Sequence, residues 1–258
     1  MKTSFKLTIL LVTTLFSCSS NDNSVPSTAN TLILPKKITE INYQGGSVNT
    51  YVNNFVFEND ILKSTSYGTD RRYDFVYNGD KIVEMKRYVS GVASGSIVFN
   101  YIGDKLNYVL NTQESTKTEY SYSGNVLSRI TNKSINGGTE TIDNLNDITF
   151  NSSNNISQEI FTSYYMGNTH ISRSTFSYDS KNTPSSNLNK YLKLIMGTEA
   201  ININNYTTNS TYSPSTNTTP SSQTTYQITY NSNNYPTKII KTNTTTGALV
   251  SDTTIEYY

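Results

Sequence analysis

One short unit recurs along the chain and limits what it can fold into. An aromatic residue is followed by a turn rich in Asn, Gly or Asp, and then by an apolar residue. It reads Asp74-Phe75-Val76-Tyr77-Asn78-Gly79-Asp80-Lys81-Ile82, then Val98-Phe99-Asn100-Tyr101-Ile102-Gly103-Asp104-Lys105-Leu106, then Glu119-Tyr120-Ser121-Tyr122-Ser123-Gly124-Asn125-Val126-Leu127. Degenerate copies cover 55–62, 148–156, 176–183 and 228–235. The anchoring aromatics Phe57, Tyr77, Tyr101, Tyr122, Phe150, Tyr178 and Tyr230 are spaced by 20, 24, 21, 28, 28 and 52, too loosely for a strict solenoid. Each unit reads as a β-hairpin. Asn78-Gly79, Gly103-Asp104 and Gly124-Asn125 supply residues that reach positive φ at low cost. Phe75/Tyr77, Phe99/Tyr101 and Tyr120/Tyr122 alternate, which puts aromatics on one strand face. A second apolar residue follows the first by three in Ile82/Met85, Leu106/Val109 and Leu127/Ile130. In a regular strand that spacing means opposite faces, so these strands are either partly buried on both sides or bulged.

Composition agrees with a β protein. The chain holds 33 Asn, 38 Thr and 34 Ser among 258 residues, with 21 Tyr, one Cys, one His and only 15% charged residues. Thr and Tyr favour strands, and Asn and Ser favour turns. The low charge excludes a disordered polyelectrolyte, the single Cys a disulfide scaffold, and the formal net charge of +1 a basic nucleic-acid binder.

The connections at the far ends of the hairpins vary: 68–71, 90–95, 113–117, 133–145 and 165–170. Short turns are thus expected at one sheet edge, and longer variable loops, the expected functional face, at the other. A single short helix is expected at 185–196, where Leu188, Tyr191, Leu192 and Ile195 follow helical spacing, with Ser186 or Asn187 as its cap and Gly197 as its stop. The run 207–225, with Pro214 and Pro220, reads as a loop ordered at most in part. Two last strands are expected near 238–242 and 249–257. The fold expected is all-β: a large antiparallel meander of about fourteen strands, twisted or partly closed, with that one helix.

Residues 1–17 read as a secretory signal, with Lys2 and Lys6 before an apolar run that falls short of the ~20 residues of a membrane span. Leu15-Phe16-Ser17-Cys18 resembles a bacterial lipobox, which implies cleavage before Cys18 and its lipidation. Residues 18–31 then form a flexible tether, and 32–258 a single all-β domain.

Tyr77-Asn78-Gly79-Asp80-Lys81-Ile82 and Ile228-Thr229-Tyr230-Asn231-Ser232-Asn233-Asn234-Tyr235-Pro236-Thr237-Lys238-Ile239 resemble the YD (RHS-type) repeat. The Asp after Tyr survives only in Tyr178-Asp179; elsewhere it is usually Asn or Ser. With the lipobox, the whole resembles uncharacterised lipoproteins of Bacteroidetes-type bacteria. That resemblance implies a porin-like, many-stranded antiparallel fold over about residues 50–258 and transfers no catalytic residue.

No catalytic set emerges. His170 is the sole histidine, and neither GxSxG nor HExxH occurs. Asp80, Asp104 and Glu58 belong to turns, where Asp has a conformational reason to sit. Asp143-Asn144-Leu145-Asn146-Asp147 offers oxygen ligands but lacks EF-hand spacing, and a plain turn is the simpler reading. No metal site and no cofactor are expected. The candidate ligand-binding residues are Tyr67, Arg71, Arg72 and Tyr73, where an arginine pair lies beside aromatics, together with Tyr164 and Tyr165. Tyr51, Tyr88 and Tyr206 are further candidates for exposure. The chain is therefore expected to be a lipid-anchored outer-membrane protein on the cell surface or the periplasmic side. Its expected role is a non-catalytic binding or scaffold module for a glycan or protein. The alternatives are a carbohydrate-active hydrolase with paired carboxylates and an integral outer-membrane β-barrel.

Overall fold

The computed structural model describes residues 32–258 except Gly45. The signal segment, the tether and Cys18 lie outside the described residues. The strands run β1 (Pro35–Gln44), β2 (Ser47–Glu58), β3 (Ile61–Tyr67), β4 (Arg71–Asn78), β5 (Lys81–Val89) and β6 (Val92–Ile102). They continue with β7 (Lys105–Asn111), β8 (Thr116–Ser123), β9 (Val126–Asn136), β10 (Thr139–Phe150), β11 (Ile156–Tyr165) and β12 (Asn168–Asn182). Two helices follow, α1 (Lys190–Met196) and α2 (Thr198–Ile201), and then β13 (Asn204–Tyr212), β14 (Ser222–Tyr230), β15 (Pro236–Asn243) and β16 (Leu249–Tyr257). Every strand pairs antiparallel with its sequence neighbours, and β16 pairs with β1, so the sheet closes into a barrel.

The spacing of three is explained by a bulge repeated in every unit. Val76 faces Glu84 but Tyr77 faces Ile82, which leaves Val83 as the extra residue. The same slip occurs at Phe57–Leu62, Tyr101–Leu106, Tyr122–Leu127, Phe150–Ile156, Tyr178–Tyr206 and Tyr230–Pro236. One unpaired residue restores the facing, so Leu106 and Val109, and Leu127 and Ile130, are buried together in one core. Ile82, Leu106, Ile156 and Pro236 are almost fully buried. The chain ends build an eighth unit without a turn. Tyr257 faces Pro35, Glu256 faces Lys37, and Lys36 is the bulged residue.

Neighbouring hairpins part company near their turns. The β3–β4 ladder stops at Ser64–Asp74 and the β5–β6 ladder at Glu84–Val98, so the carbonyls of Leu62 and Ile82 have no strand partner beyond. The next unit's anchoring tyrosine fills the gap. The Tyr77 hydroxyl donates to the Leu62 carbonyl (2.8 Å), Tyr101 to Ile82 (2.7 Å), Tyr122 to Leu106 (3.0 Å), Tyr178 to Ile156 (2.5 Å) and Tyr257 to Pro236 (2.7 Å). Burial pushes the Tyr77 and Tyr122 hydroxyls up to about 12, and those of Tyr101, Tyr178 and Tyr257 higher still.

Several expectations need correction. Among the described residues there are sixteen strands rather than fourteen, and closure is complete. The run 207–225 contains the ends of β13 and β14; Pro214 and Pro220 are confined to the 213–221 turn. Residues 133–145 lie largely in β9 and β10, whose hairpin turns at Gly137-Gly138, and β12 begins within the expected 165–170 loop. Asn78 pairs with Lys81, so the two-residue turn is Gly79-Asp80 with Gly79 at φ 61°. The helix starts later than expected. Asn189 caps it by accepting from the Tyr191 amide, because Asn187 is committed to the Ile33 carbonyl and the Tyr235 hydroxyl. The helical segment also occupies the tight-turn end, in place of the turn of the β12–β13 unit. The most elaborate connection thus sits opposite the edge expected to be functional.

Two outcomes test this bonding. Tyr101→Phe strands the buried Ile82 carbonyl and should lower unfolding free energy by ~1–3 kcal/mol, whereas Tyr88→Phe should change it by less than ~0.5 kcal/mol, both read by urea denaturation. A tyrosine with a raised folded-state pKa binds its proton more tightly folded than unfolded. The contribution is complete below the ordinary value of 10.0 and is lost as pH rises above it. Urea midpoints should therefore fall between pH 9.5 and 11.5 (about the window these shifts open) with a slope of more than one proton.

Candidate functional site

The helical segment blocks one end of the barrel. Leu188, Tyr191 and Leu192 pack into the apolar core. Asn189 donates to the Asp80 carbonyl (2.7 Å), and the Tyr191 hydroxyl donates to the Asp104 carboxylate (2.7 Å). Lys190 pairs with Asp104 at 2.5 Å. The hydrogen bonds from Lys190 and Tyr191 hold the Asp104 carboxyl below the usual range. Asp80 and Asp104 therefore tie the plug to the turns, and Glu58 pairs with Lys63 at 3.5 Å. The three residues considered from sequence all lie at the closed end, and of their carboxylates Asp104 holds the plug.

The opposite half of the lumen is walled by polar residues. Alternation from the core carries Glu40, Asn53, Tyr51, Tyr67, Tyr73 and Arg71 to the inner face of β1–β4. Tyr51 and Tyr67 stack with centroids 5.6 Å apart and planes at 24°. Desolvation raises the Tyr67 hydroxyl, Tyr51 and Glu40 reinforce this, and Arg71 opposes it. Of the sequence candidates, Tyr67, Arg71 and Tyr73 thus come together at the mouth. Arg72 does not join them. It points outward, pairs with Asp74 at 2.9 Å and lies 4.6 Å from the Tyr88 ring centre. Consecutive strand residues face opposite ways, so the arginine pair is split.

Tyr165 faces the lumen from β11, eight strands around the ring from β3, so it stands across the mouth from Tyr67. Tyr164 faces outward, in the field of Arg129. His170 is an exposed inner-face residue of β12 opposite Ser163. Tyr206, expected to be exposed, is buried and stacks on Phe176 at 4.6 Å. Asp143 and Asp147 lie on a strand rather than in a turn; Asp147 takes two bonds from Arg129 (2.5 and 3.0 Å), and Asp143 accepts from Ser134.

Sequence reasoning missed Glu159. It lies three residues after Ile156, the position that Met85, Val109 and Ile130 occupy in other units, and so it faces the interior. Burial raises its carboxyl; Thr198 and Asn146 partly counter this. The i, i+3 spacing carries the signal, once the bulge is known. Glu199 stands nearby, 3.4 Å from Lys241, and both carboxylates act on Tyr178 and Tyr206.

Between the β5–β11 wall and the helical segment lies a chamber of about 410 Å3, within the ~300–1,000 Å3 range of small-molecule sites. A smaller space of about 270 Å3 lies between the helical segment and β1, β15 and β16. In the 410 Å3 chamber Thr118 donates to Asn132 (2.7 Å), and Asn132 to Asn144 (2.7 Å), so a hydroxyl and two amides are linked across three strands.

The outer wall carries ion pairs. Lys117 and Lys133 each contact Glu119 and Glu140 at 2.7–2.9 Å, and Lys238 meets Asp252 at 3.0 Å. No helix among the described residues is long and apolar enough to cross a membrane, which leaves strands aside.

No protein-family model matches the chain, and no curated protein does. Among solved structures, a porin-like protein from Bacteroides uniformis is 13% identical with a TM-score of 0.48, over 86% of this chain and 94% of that one. The chain TcdB2-TccC3-TEV and the Photorhabdus luminescens Tc holotoxin pore are each 14% identical with a TM-score of 0.26 over 79% of this chain, which spans 10% of their length.

One outcome tests the interior carboxyl. A raised folded-state pKa means that the fold loses stability as pH climbs from the ordinary glutamate value of 4.5 toward the folded one. Glu159→Gln should remove that slope and be more stable than the parent at pH 7, as read by urea midpoints from pH 4 to 8.

Proposed function

We propose that the chain is a lipid-anchored cell-envelope protein that binds a glycan through the open end of its barrel, without catalysis. The carrying observation is the division of the lumen. One end is apolar and plugged, while the other is open and lined by Tyr51, Tyr67, Arg71, Tyr73 and amide side chains. Stacked aromatics beside hydroxyl and amide groups suit a ligand with an apolar ring face and many hydroxyls. The lipobox at Cys18 supports the anchor and the envelope location.

The outer wall weighs against the integral-barrel alternative. Arg129, Asp147, Lys117 and Glu119 would face lipid, where a basic residue at the midplane costs ~2–4 kcal/mol. The hydrolase alternative draws on one observation, the raised Glu159 carboxyl with Glu199 close enough to act on the same tyrosines. A turnover assay on neutral glycans with Glu159→Gln beside the parent separates hydrolysis from binding.

Labelling cells with an alkyne fatty acid should mark the parent chain and not Cys18→Ser, which should leave the membrane fraction. Glycan arrays probed with Cys18→Ser chain should show retained ligands, and adding Tyr67→Ala with Arg71→Ala should reduce their affinity ~10-fold or more. Retention unchanged by the pair would take the mouth out of the reading.

A further inference from the structure

The interior positions of the repeat depart from pattern in three of the eight units. Three residues after the buried partner stand Ile38, Met85, Val109, Ile130 and Ile239, all apolar, in five units. In the β3, β11 and β13 units the same position holds Thr65, Glu159 and Asn209. Asn146, on β10 beside Glu159, is a further inward polar residue. Glu159 Oε1, Asn209 Oδ1 and Asn146 Oδ1 are buried oxygens with no hydrogen-bond partner. A polar group placed where the fold wants an apolar one, with an oxygen left without a partner, costs stability.

Glu159 and Asn146 adjoin the 410 Å3 chamber. Asn146 and Thr198 line it, and both touch the Glu159 carboxyl. Phe161 lines it too, an inward aromatic that is 41% exposed. Its ring is thus an uncovered platform beside unpaired acceptors. The lining itself carries no charged side chain. We infer that this chamber holds one ring of a neutral sugar, its apolar face on Phe161 and its hydroxyls donating to Asn146. The inference rests on the glycan reading above and names the chamber and ligand class within it. An uncharged lining favours a neutral ring over a uronic or sialic acid, because a carboxylate there would find acceptors rather than cations.

The test is calorimetric titration of the Cys18→Ser chain with neutral tri- to hexasaccharides of glucose, mannose, galactose and N-acetylglucosamine, with oligogalacturonate as the charged comparison. Saturation-transfer NMR with the corresponding methyl glycosides reads contact with one ring face. At least one neutral series should bind, and oligogalacturonate should not. Phe161→Ala and Asn146→Leu should each weaken binding ~10-fold or more, while Phe161→Tyr, which keeps the ring and controls for folding, should retain it. Binding that is lost in Tyr67→Ala but unchanged in Phe161→Ala and Asn146→Leu would overturn the chamber and leave the glycan reading standing. Binding of oligogalacturonate in preference to every neutral series would overturn the ligand class. No binding to any saccharide would remove both the inference and the reading beneath it.

Discussion

The barrel depends on one hydrogen bond made over and over: a buried tyrosine hydroxyl reaching the carbonyl that the preceding hairpin leaves unpaired. Hairpins of a closed sheet must splay where their bulges sharpen the twist, and splaying ends the ladder between units. Without another donor, a set of buried carbonyls would lose water and gain nothing. Tyrosine solves both problems, because its ring fills the core beside Ile82 or Leu106 while its hydroxyl crosses to the preceding unit. At Phe150 the hydroxyl is missing, so the unit ending in Leu127 keeps the ring but not the bridge. The same chemistry accounts for a chain with 21 Tyr and no Trp.

The hairpins, their turns and the anchoring aromatics were legible in the sequence because apolar and polar residues contrast there. The strand count was not. In β13 and β14 the inner face toward the mouth is itself polar, so Asn209, Thr211 and Thr224 alternate with Thr and Ser and leave no hydropathy pattern. The bulge was readable only as an ambiguity: a spacing of three with two explanations. Closure was hidden for a different reason, since the eighth hairpin joins Pro35 to Tyr257 and no local stretch contains it. Candidate sites fared unevenly on the same physics. Arg71 and Arg72 are adjacent in sequence and opposed across the sheet, whereas Glu159 looked like one polar residue among many until its repeat position placed it inside.

A division of labour follows from the architecture. The tight-turn end is tied down by the helical segment through Asp80 and Asp104 and holds the apolar core. The other end is free of that burden, and its inner wall carries tyrosines, amides and a few charges. An outer wall of ion pairs contributes little to stability pair by pair but keeps the surface wetted. The asymmetry within the lumen, rather than any loop, is what makes recognition of a polar ring-shaped ligand the best account of the molecule.

The bulge in each hairpin carries the whole scheme, and single-cysteine labelling of β9 reads it directly. With Cys18 replaced by Ser, cysteines at 127, 129 and 130 are reacted with a water-soluble maleimide under native conditions. Leu127 and Ile130 are buried and Arg129 is exposed, so positions 127 and 130 should be protected and 129 should react quickly. Protection at 127 and 129 with reaction at 130, the pattern of a regular strand, would contradict the bulged barrel and everything built on it.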